Sequence, residues 1–165
     1  STWLSRRRQY ERWRLPSCDR VCSVFRSLLY LPALQRIRNL WLGLEPLVDE
    51  TAYDDVVAPT ELQLSLSDGL GDAERARLDI QWSELGMYSF HHVDSDDVNW
   101  RFDRHPSTHS PEMHFYPPPE AATTDAEPSC LDVTEVSLVT RAVDAMWRAA
   151  YDDDFVQLNS ASNPP

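Results

Sequence analysis

The sequence contains no lysine, and this absence shapes the interpretation of its charge. All 15 basic residues are arginines, against 17 aspartates and 10 glutamates, which gives a formal net charge of −12. A lysine-free, aspartate-rich surface is typical of a protein adapted to molar salt. There the Debye length falls to about 3 Å, so repulsion between the acidic side chains costs little. The composition therefore predicts a salt-adapted protein. Because such salt also screens long-range steering, the net charge neither favours nor excludes a nucleic-acid partner.

Long apolar runs and a disulfide framework are also missing. No run approaches the roughly 18 apolar residues of a membrane span, and the arginines of SRRRQY (5–10) are not followed by the apolar segment of an export signal. Three cysteines cannot all pair, and the spacing of Cys18, Cys22 and Cys130 is not a structural zinc pattern. These absences predict a cytoplasmic protein with reduced thiols, no membrane partner and no cofactor.

Positive charge is concentrated at the start of the chain. Residues 1–42 hold nine arginines and two acidic residues, whereas the rest of the chain holds six arginines and 25 acidic residues. Apolar residues follow helical spacing over 21–29 and 34–41, and Pro32 separates the two predicted helices. We interpret residues 1–60 as a basic helical segment. It could bind nucleic acid or an acidic partner, its arginines could line helices packed on the acidic body, or residues 1–42 could precede the native start.

Alternating apolar residues indicate strands from residue 61 onward. The period of two is clear at 62–66, 76–82, 87–93 and 98–103, and turn-forming residues separate these stretches. A short fifth strand is predicted near 113–116. The pattern therefore predicts an antiparallel meander of four to five strands, in which strand 87–93 pairs with strand 98–103.

The remainder of the chain predicts one more helix. Residues 117–129 are rich in proline and predict a linker without regular structure. The sequence DVTE (132–135) has the form of a capping box and precedes apolar residues at helical spacing. Residues 61–155 are therefore expected to form the sheet and a C-terminal helix packed on it, with a disordered tail at 156–165. The expected fold class is α+β, with N-terminal helices ahead of the sheet.

The register of the predicted hairpin decides which side chains share a face. A loop centred on Ser95 and Asp96 pairs His92 with Asn99 and places His91 on the core side. The other face is then expected to carry Tyr88, Phe90, His92, Asn99, Arg101 and Asp103. Because most of these side chains are polar, this face is expected to be exposed to solvent or to form a site.

All five histidines of the chain lie between residues 91 and 114. His105, His109 and His114 follow the strand that carries Arg101 and Asp103. Two prolines in this loop exclude a continuous helix, so the histidines are not a helix-face pair of the kind found in zinc proteases. A metal site would need the three imidazoles to converge from the loop, with Asp103 as a fourth ligand.

An acid–base interpretation of the same residues needs no metal. Cleavage of RNA through its own 2′-hydroxyl requires a base, an acid for the departing 5′-oxygen and a cation on the phosphorane. Histidine suits the first two roles because its ordinary pKa is about 6.5, and the planar fork of arginine matches phosphate oxygens. A third interpretation is purely structural: the loop histidines bond to backbone, and Arg101 and Asp103 form a surface ion pair.

Three short motifs resemble the TumE-type toxins of prokaryotic toxin–antitoxin pairs. They are Tyr88-Ser-Phe90, Arg101-Phe-Asp103 and, after a loop of proline and histidine, His114-Phe-Tyr116. Members of that family are small α+β proteins with YSF, RYDN-PH and closing H-x-H segments. The resemblance covers roughly residues 75–150 of this chain. The chain departs from that pattern where His105 precedes its proline and where Tyr116 replaces the last histidine.

The resemblance implies an RNA-directed toxin that a cognate antitoxin neutralises. Arg101 is expected to hold the scissile phosphate, Asp103 to orient an imidazole or brace the arginine, and two of three histidines to divide the base and acid roles. The predicted catalytic residues are Arg101, Asp103, His105, His109 and His114, and the predicted substrate-binding residues are Tyr88, His92 and Arg104. The alternatives are a non-catalytic protein-interaction module and a metal-binding protein built on the histidine loop.

Overall fold

The computed structural model describes residues 29–105 and 112–160, and in this part of the chain seven strands and two α-helices form an α+β fold. Helix α1 spans Leu31–Leu44 and helix α2 spans Val136–Asp152. The strands are β1 Val48–Tyr53, β2 Leu62–Leu66, β3 Ala76–Trp82, β4 Tyr88–Asp94, β5 Asn99–Arg104, β6 Met113–Tyr116 and β7 Glu127–Pro128. Each strand pairs antiparallel with the next, so the sheet order is the chain order. Short 3-10 turns lie at Thr123–Asp125 and Phe155–Gln157.

The antiparallel meander predicted from the alternation is confirmed, and the sheet is larger than expected. Strand β4 pairs with β5 as predicted, and the short strand near 113–116 is β6. Strand β1 lies inside the segment predicted to be helical, so the sheet begins before residue 61. The prediction that residues 117–129 hold no regular element was wrong, because β7 pairs there with β6.

Helix α1 agrees with the apolar spacing predicted over 34–41. Its buried stripe is formed by Leu34, Ile37 and Trp41, one helical turn apart. Pro32 is in the first turn of this helix, where a backbone N–H would have no partner within the helix, so the N–H that proline lacks costs no hydrogen bond. The helix predicted over 21–29 lies outside the described residues. In 29–105 and 112–160 there is no helix of the length and apolarity that a membrane crossing requires.

Helix α2 begins where the sequence predicted a helix, but with a different cap. The N-cap residue is Glu135, whose side chain accepts a hydrogen bond from the Leu138 backbone N–H at 3.0 Å. The capping box expected to start at Asp132 is therefore not formed, and Glu135, the last residue of DVTE, caps the helix instead. Residues that follow α2 also pack on the body, since Leu158 is buried and the Asn159 side chain accepts from the Cys130 N–H.

One face of the sheet forms the hydrophobic core with both helices. The even-numbered residues of β2 to β5 point to this face, because successive side chains of a strand alternate. They pack with the apolar stripes of α1 and α2. The fully buried members of the core include Leu34, Ile37, Trp41, Leu62, Leu64, Leu66, Leu78, Ile80, Phe90, Trp100, Phe102, Val139, Val143 and Trp147.

The opposite face, which we call the polar face, carries the odd-numbered residues of β3 to β5. Arg77 and Asp79 of β3 form a two-point ion pair there, with N···O distances of 2.7 and 2.9 Å. Strands β4, β5 and β6 continue the row of polar side chains beside this pair. The polar face includes Arg77, Asp79, Ser89, His91, Asn99, Arg101, Asp103, His114 and Tyr116.

The predicted register of the β4–β5 hairpin was wrong by one residue. His92 pairs with Trp100, and Val93 pairs with Asn99. A shift of one residue moves every side chain of a strand to the other face. His91 is therefore opposite Arg101 on the polar face, and His92 lies in the core. Tyr88 also points to the core face, away from Arg101.

Candidate active site

Strand β5, which lies between β4 and β6, holds the two charged residues on which the candidate site is built. Arg101 lies between His91 of β4 and Tyr116 of β6, and Asp103 lies between Ser89 and His114. All of these side chains project from the polar face because they occupy directly opposite positions on neighbouring strands. The sheet therefore gathers an arginine, a carboxylate and imidazoles from three strands onto one surface.

Asp103 is the centre of this arrangement. Its Oδ2 atom lies 3.0 Å from Arg101 Nε and 3.9 Å from His105 Nδ1. The first distance is an ion pair, and the second is too long for a hydrogen bond but short enough for the carboxylate to orient the ring. Asp103 is 8% exposed, and among the described residues its Oδ1 atom has no hydrogen-bond partner. One carboxylate thus fixes the arginine and retains an oxygen that can accept from a further group.

His105 and His114 stack against each other at the end of β5 and the start of β6. Their ring centroids are 5.1 Å apart with an angle of 28° between the planes. The His105 N–H donates to the Glu112 carbonyl, which extends the β5–β6 pairing up to His105. Desolvation and then the neighbouring His105 lower the pKa of His114, so this imidazole is neutral at neutral pH. The pair therefore places a neutral histidine next to a more exposed one.

Tyr116 completes the cluster and was not among the predicted site residues. The Arg101 guanidinium carbon lies 4.2 Å from the centre of the Tyr116 ring, within the range of a cation–π contact. The His114 and Tyr116 rings are 6.1 Å apart. Tyr116 and Asp103 together hold the guanidinium from two sides. The available signal was its position in the closing segment, two residues after His114.

His91 also lies on the polar face, although the predicted register placed it on the core side. Its Nε2 atom lies 3.0 Å from the Asn99 side-chain oxygen, to which it donates as the neutral ring. Burial, and then the positive charge of Arg101, lowers the pKa of His91 to about 3. His91 therefore stays uncharged beside Arg101 across the neutral range.

Three of the predicted site residues lie away from this cluster. His92 and Tyr88 are buried on the core face, where they are 0% and 1% exposed. Arg104 alternates with Asp103 and donates instead to the Gly86 carbonyl at 3.1 Å, with Glu112 as its ion-pair partner at 3.0 Å. The structure thus brings together Arg101, Asp103, His105 and His114 and leaves these three on the other side of the sheet.

His109, the remaining predicted catalytic residue, lies outside the described residues. The metal interpretation requires it as a ligand beside His105 and His114. Among residues 29–105 and 112–160, no group of three or more histidine, cysteine, aspartate or glutamate side chains has an arrangement that could hold a metal ion. The described residues of the cluster provide imidazoles, a carboxylate and a guanidinium.

The chain matches the model of a known protein family. A family model described as toxin TumE matches residues 34–153. The matched range begins in α1 and ends just after α2, so it includes all seven strands and every described residue of the cluster. No curated protein and no solved structure matches the chain.

Proposed function

Because the chain belongs to the TumE toxin family, we propose that it acts as the toxin of a toxin–antitoxin pair and cleaves RNA by acid–base chemistry at the Arg101 cluster. The observation that carries this proposal is the convergence of Arg101, Asp103, His105 and His114 on one face of two paired strands. Cleavage of RNA through its own 2′-hydroxyl requires a base, an acid and a cation, which two imidazoles and a guanidinium can supply, and the carboxylate can orient an imidazole.

Arg101 would bind the scissile phosphate. The Asp103 carboxylate and the Tyr116 ring fix the position of the guanidinium, so little conformational freedom is lost when a phosphate is bound. The side chain is 25% exposed, which allows a ligand to reach it. As negative charge grows on the equatorial oxygens of the phosphorane, a fixed guanidinium stabilises the transition state more than the ground state.

His114 would act as the base and His105 as the acid. The neutral His114 ring takes the proton of the 2′-hydroxyl, and the 2′-oxygen attacks phosphorus. The bond from phosphorus to the 5′-oxygen then breaks, and this oxygen takes a proton from His105. The products are a 2′,3′-cyclic phosphate and a 5′-hydroxyl. The lowered pKa of His114 supports its assignment as the base, and the greater exposure of His105 supports contact with a departing strand.

The proposal is tested by inducible expression of matched arginine variants. We expect the wild-type chain to stop growth and to yield RNA fragments with cyclic phosphate ends, and Arg101→Ala to lose both effects by at least 100-fold, in keeping with the loss of a transition-state charge partner. Arg141→Ala removes the same charge from an exposed position of α2 and should retain activity. RNA fragments are mapped by sequencing of their ends.

The outcome of this experiment separates the competing functions. Intact RNA in growth-arrested cells would contradict the ribonuclease proposal and favour a non-catalytic toxin that binds its target. Fragmentation by Arg101→Ala at the wild-type rate would contradict the assigned site. With purified protein and a defined RNA, cleavage that disappears after treatment with a chelator and returns with a divalent metal would favour the metal-assisted alternative.

A further inference from the structure

The two edges of the sheet are protected to different degrees. Strand β7 closes one edge with only two residues, one of which is Pro128. Short strands and prolines are common ways to block further strand pairing. Strand β1 forms the other edge with six residues and no proline, and no described residue pairs with its outer side. The β1 edge therefore has the properties of a site where another strand can be added.

The register identifies the backbone groups that point outward from this edge. The Asp54 N–H donates to the Glu61 carbonyl at 3.1 Å, so Asp54 belongs to the residues that hydrogen-bond to β2. In an antiparallel pair such residues alternate, which assigns Ala52 to the same set. Thr51 and Tyr53 then direct their N–H and C=O groups away from the sheet. Their spacing is that required for a ladder to an additional strand.

A polar depression lies next to these outward groups. It has a volume of about 470 Å³ and lies between α1 and β1, lined by Gln35, Arg38, Asn39, Thr51, Ala52 and Tyr53. Arg38 Nε donates to Thr51 Oγ1 at 2.9 Å and Arg38 Nη1 to Asn39 Oδ1 at 3.3 Å. One face of an added strand would therefore meet amide and guanidinium groups, which favour polar side chains that accept hydrogen bonds.

The other face of an added strand would meet acidic and apolar groups. Glu50 and Asp54 are exposed on this side of β1. Beyond β1, Val56 and Val57 are 100% and 94% exposed at the tip of the β1–β2 loop. Asp55 holds this tip by accepting from the Val57 and Ala58 N–H groups at 2.7 and 2.9 Å. The matching segment is thus basic on this face and apolar where it reaches the two valines.

We propose that β1 is the docking edge for the cognate antitoxin, which adds an extended segment to the sheet with basic side chains toward Glu50 and Asp54. The proposal rests on the function of the chain as the toxin of a toxin–antitoxin pair. A second copy of this chain fits the edge poorly, because its own β1 would bring a second row of Glu50 and Asp54 carboxylates against the first. Backbone hydrogen bonds provide affinity in this mode of recognition, and the alternating side chains provide specificity.

Amide hydrogen exchange tests this inference on the folded chain. The Arg101→Ala variant is used because the loss of toxicity expected of it allows the chain to be produced alone, and its exchange is measured alone and with the purified cognate antitoxin. We expect exchange at the Thr51 and Tyr53 amides to slow at least tenfold in the complex. The Ala52 amide, already bonded to β2, is the matched control and should change little. Unchanged exchange at Thr51 and Tyr53 in a formed complex would overturn the proposal.

A proline substitution gives an independent measurement. Thr51→Pro removes an outward N–H and blocks an incoming strand without removing a bond to β2, whereas Thr51→Val retains the N–H. We expect Thr51→Pro to weaken antitoxin binding at least tenfold and Thr51→Val to retain it. Equal affinity of both variants would contradict the proposal, as would protection of Thr51 that depends on toxin concentration without antitoxin, which indicates a second copy. Exchange and affinity do not depend on RNA cleavage, so failure of docking and failure of the ribonuclease proposal are distinguishable.

Discussion

His91 and His92 are neighbours in β4, yet they belong to two different environments. His92 is fully buried on the core face, where its ring stacks on Trp100 at 4.9 Å and its Nδ1 atom accepts from Trp147 Nε1 at 3.3 Å. His91 is on the polar face opposite Arg101. The residue type is the same, and the sequence separation is one residue. The difference shows that the face of the strand, rather than the clustering of histidines in the sequence, decides which of them can take part in chemistry.

The two faces also differ in how they satisfy polar groups. On the core face, burial lowers the pKa of His92, and the neutral ring accepts from Trp147 while its other nitrogen faces Asp94 at 3.5 Å. On the polar face, charged groups form the buried pair Arg77–Asp79 and the partly buried pair Arg101–Asp103. Such pairs contribute little net stability, because desolvation offsets much of their attraction. The core face therefore stabilises the fold, and the polar face holds charge in defined positions.

The largest expected effect comes from the histidines of the cluster. His105→Ala and His114→Ala should each lower the rate of RNA cleavage by about 10²–10⁴-fold, because each removes one partner in proton transfer. His105 is half-buried, so His105→Ala should leave the melting temperature nearly unchanged. The rate is measured with purified protein on a defined RNA, and folding is followed by thermal unfolding. Cleavage at the wild-type rate by both variants would show that the polar face is not the site.

The next effect concerns the histidine of the core face. His92→Ala should destabilise the fold by about 2–4 kcal/mol, because it opens a cavity beside Trp100 and leaves the Trp147 N–H without its acceptor. His92→Gln retains an acceptor and should lose less. Urea unfolding followed by tryptophan fluorescence measures the change. A folded His92→Ala variant with normal stability and greatly reduced cleavage would reverse the roles assigned to the two faces.

The smallest effect is on the pH dependence of cleavage. A base must be unprotonated, so kcat/KM should fall as the pH drops through the pKa of His114. This pKa is lowered from the ordinary value of 6.5, so the acidic limb should lie below pH 6.5, and acidification to pH 6.5 should reduce the rate less than twofold. The profile is measured under conditions where the protein stays folded. His92→Gln should leave the limb in place. A limb above pH 6.5 would contradict the assignment of His114 as the base.

The alternation of apolar residues was sufficient to predict most of the sheet, but not the register of its central hairpin. The Asp94 N–H donates to the Val98 carbonyl at 3.2 Å, so the loop that this pair encloses has three residues rather than the expected two, and Asp97 within it adopts a φ of 61°. Aspartate enters this left-handed region more readily than most residues, but the segment contains no glycine to indicate it. Because of this one additional loop residue, His91 lies on the polar face, where His92 was predicted.

Part of the candidate site could be predicted from the sequence even though the hairpin register was wrong. Arg101, Asp103 and His105 follow one another at a spacing of two in an extended chain, so their common face is independent of the hairpin register. The place of His114 and Tyr116 beside them depends on the pairing of β5 with β6, which brings Arg101 opposite Tyr116 across a sequence separation of 15 residues. The edge strand β1 was missed because its sequence, VDETAY, is half-exposed and lacks a clear apolar alternation.

The bond between Trp147 and His92 has a consequence for synthesis of the chain. All seven strands are translated before helix α2, which supplies Val139, Val143, Met146 and Trp147 to the core. Until about residue 152 has left the ribosome, the apolar face of the sheet lacks the cover that α2 provides, and His92 lacks its tryptophan donor. Helix α1 alone cannot complete the burial of that face, so native packing follows only after α2 emerges. We therefore expect the polar face to reach its final arrangement late, only after all seven strands and α2 have been made.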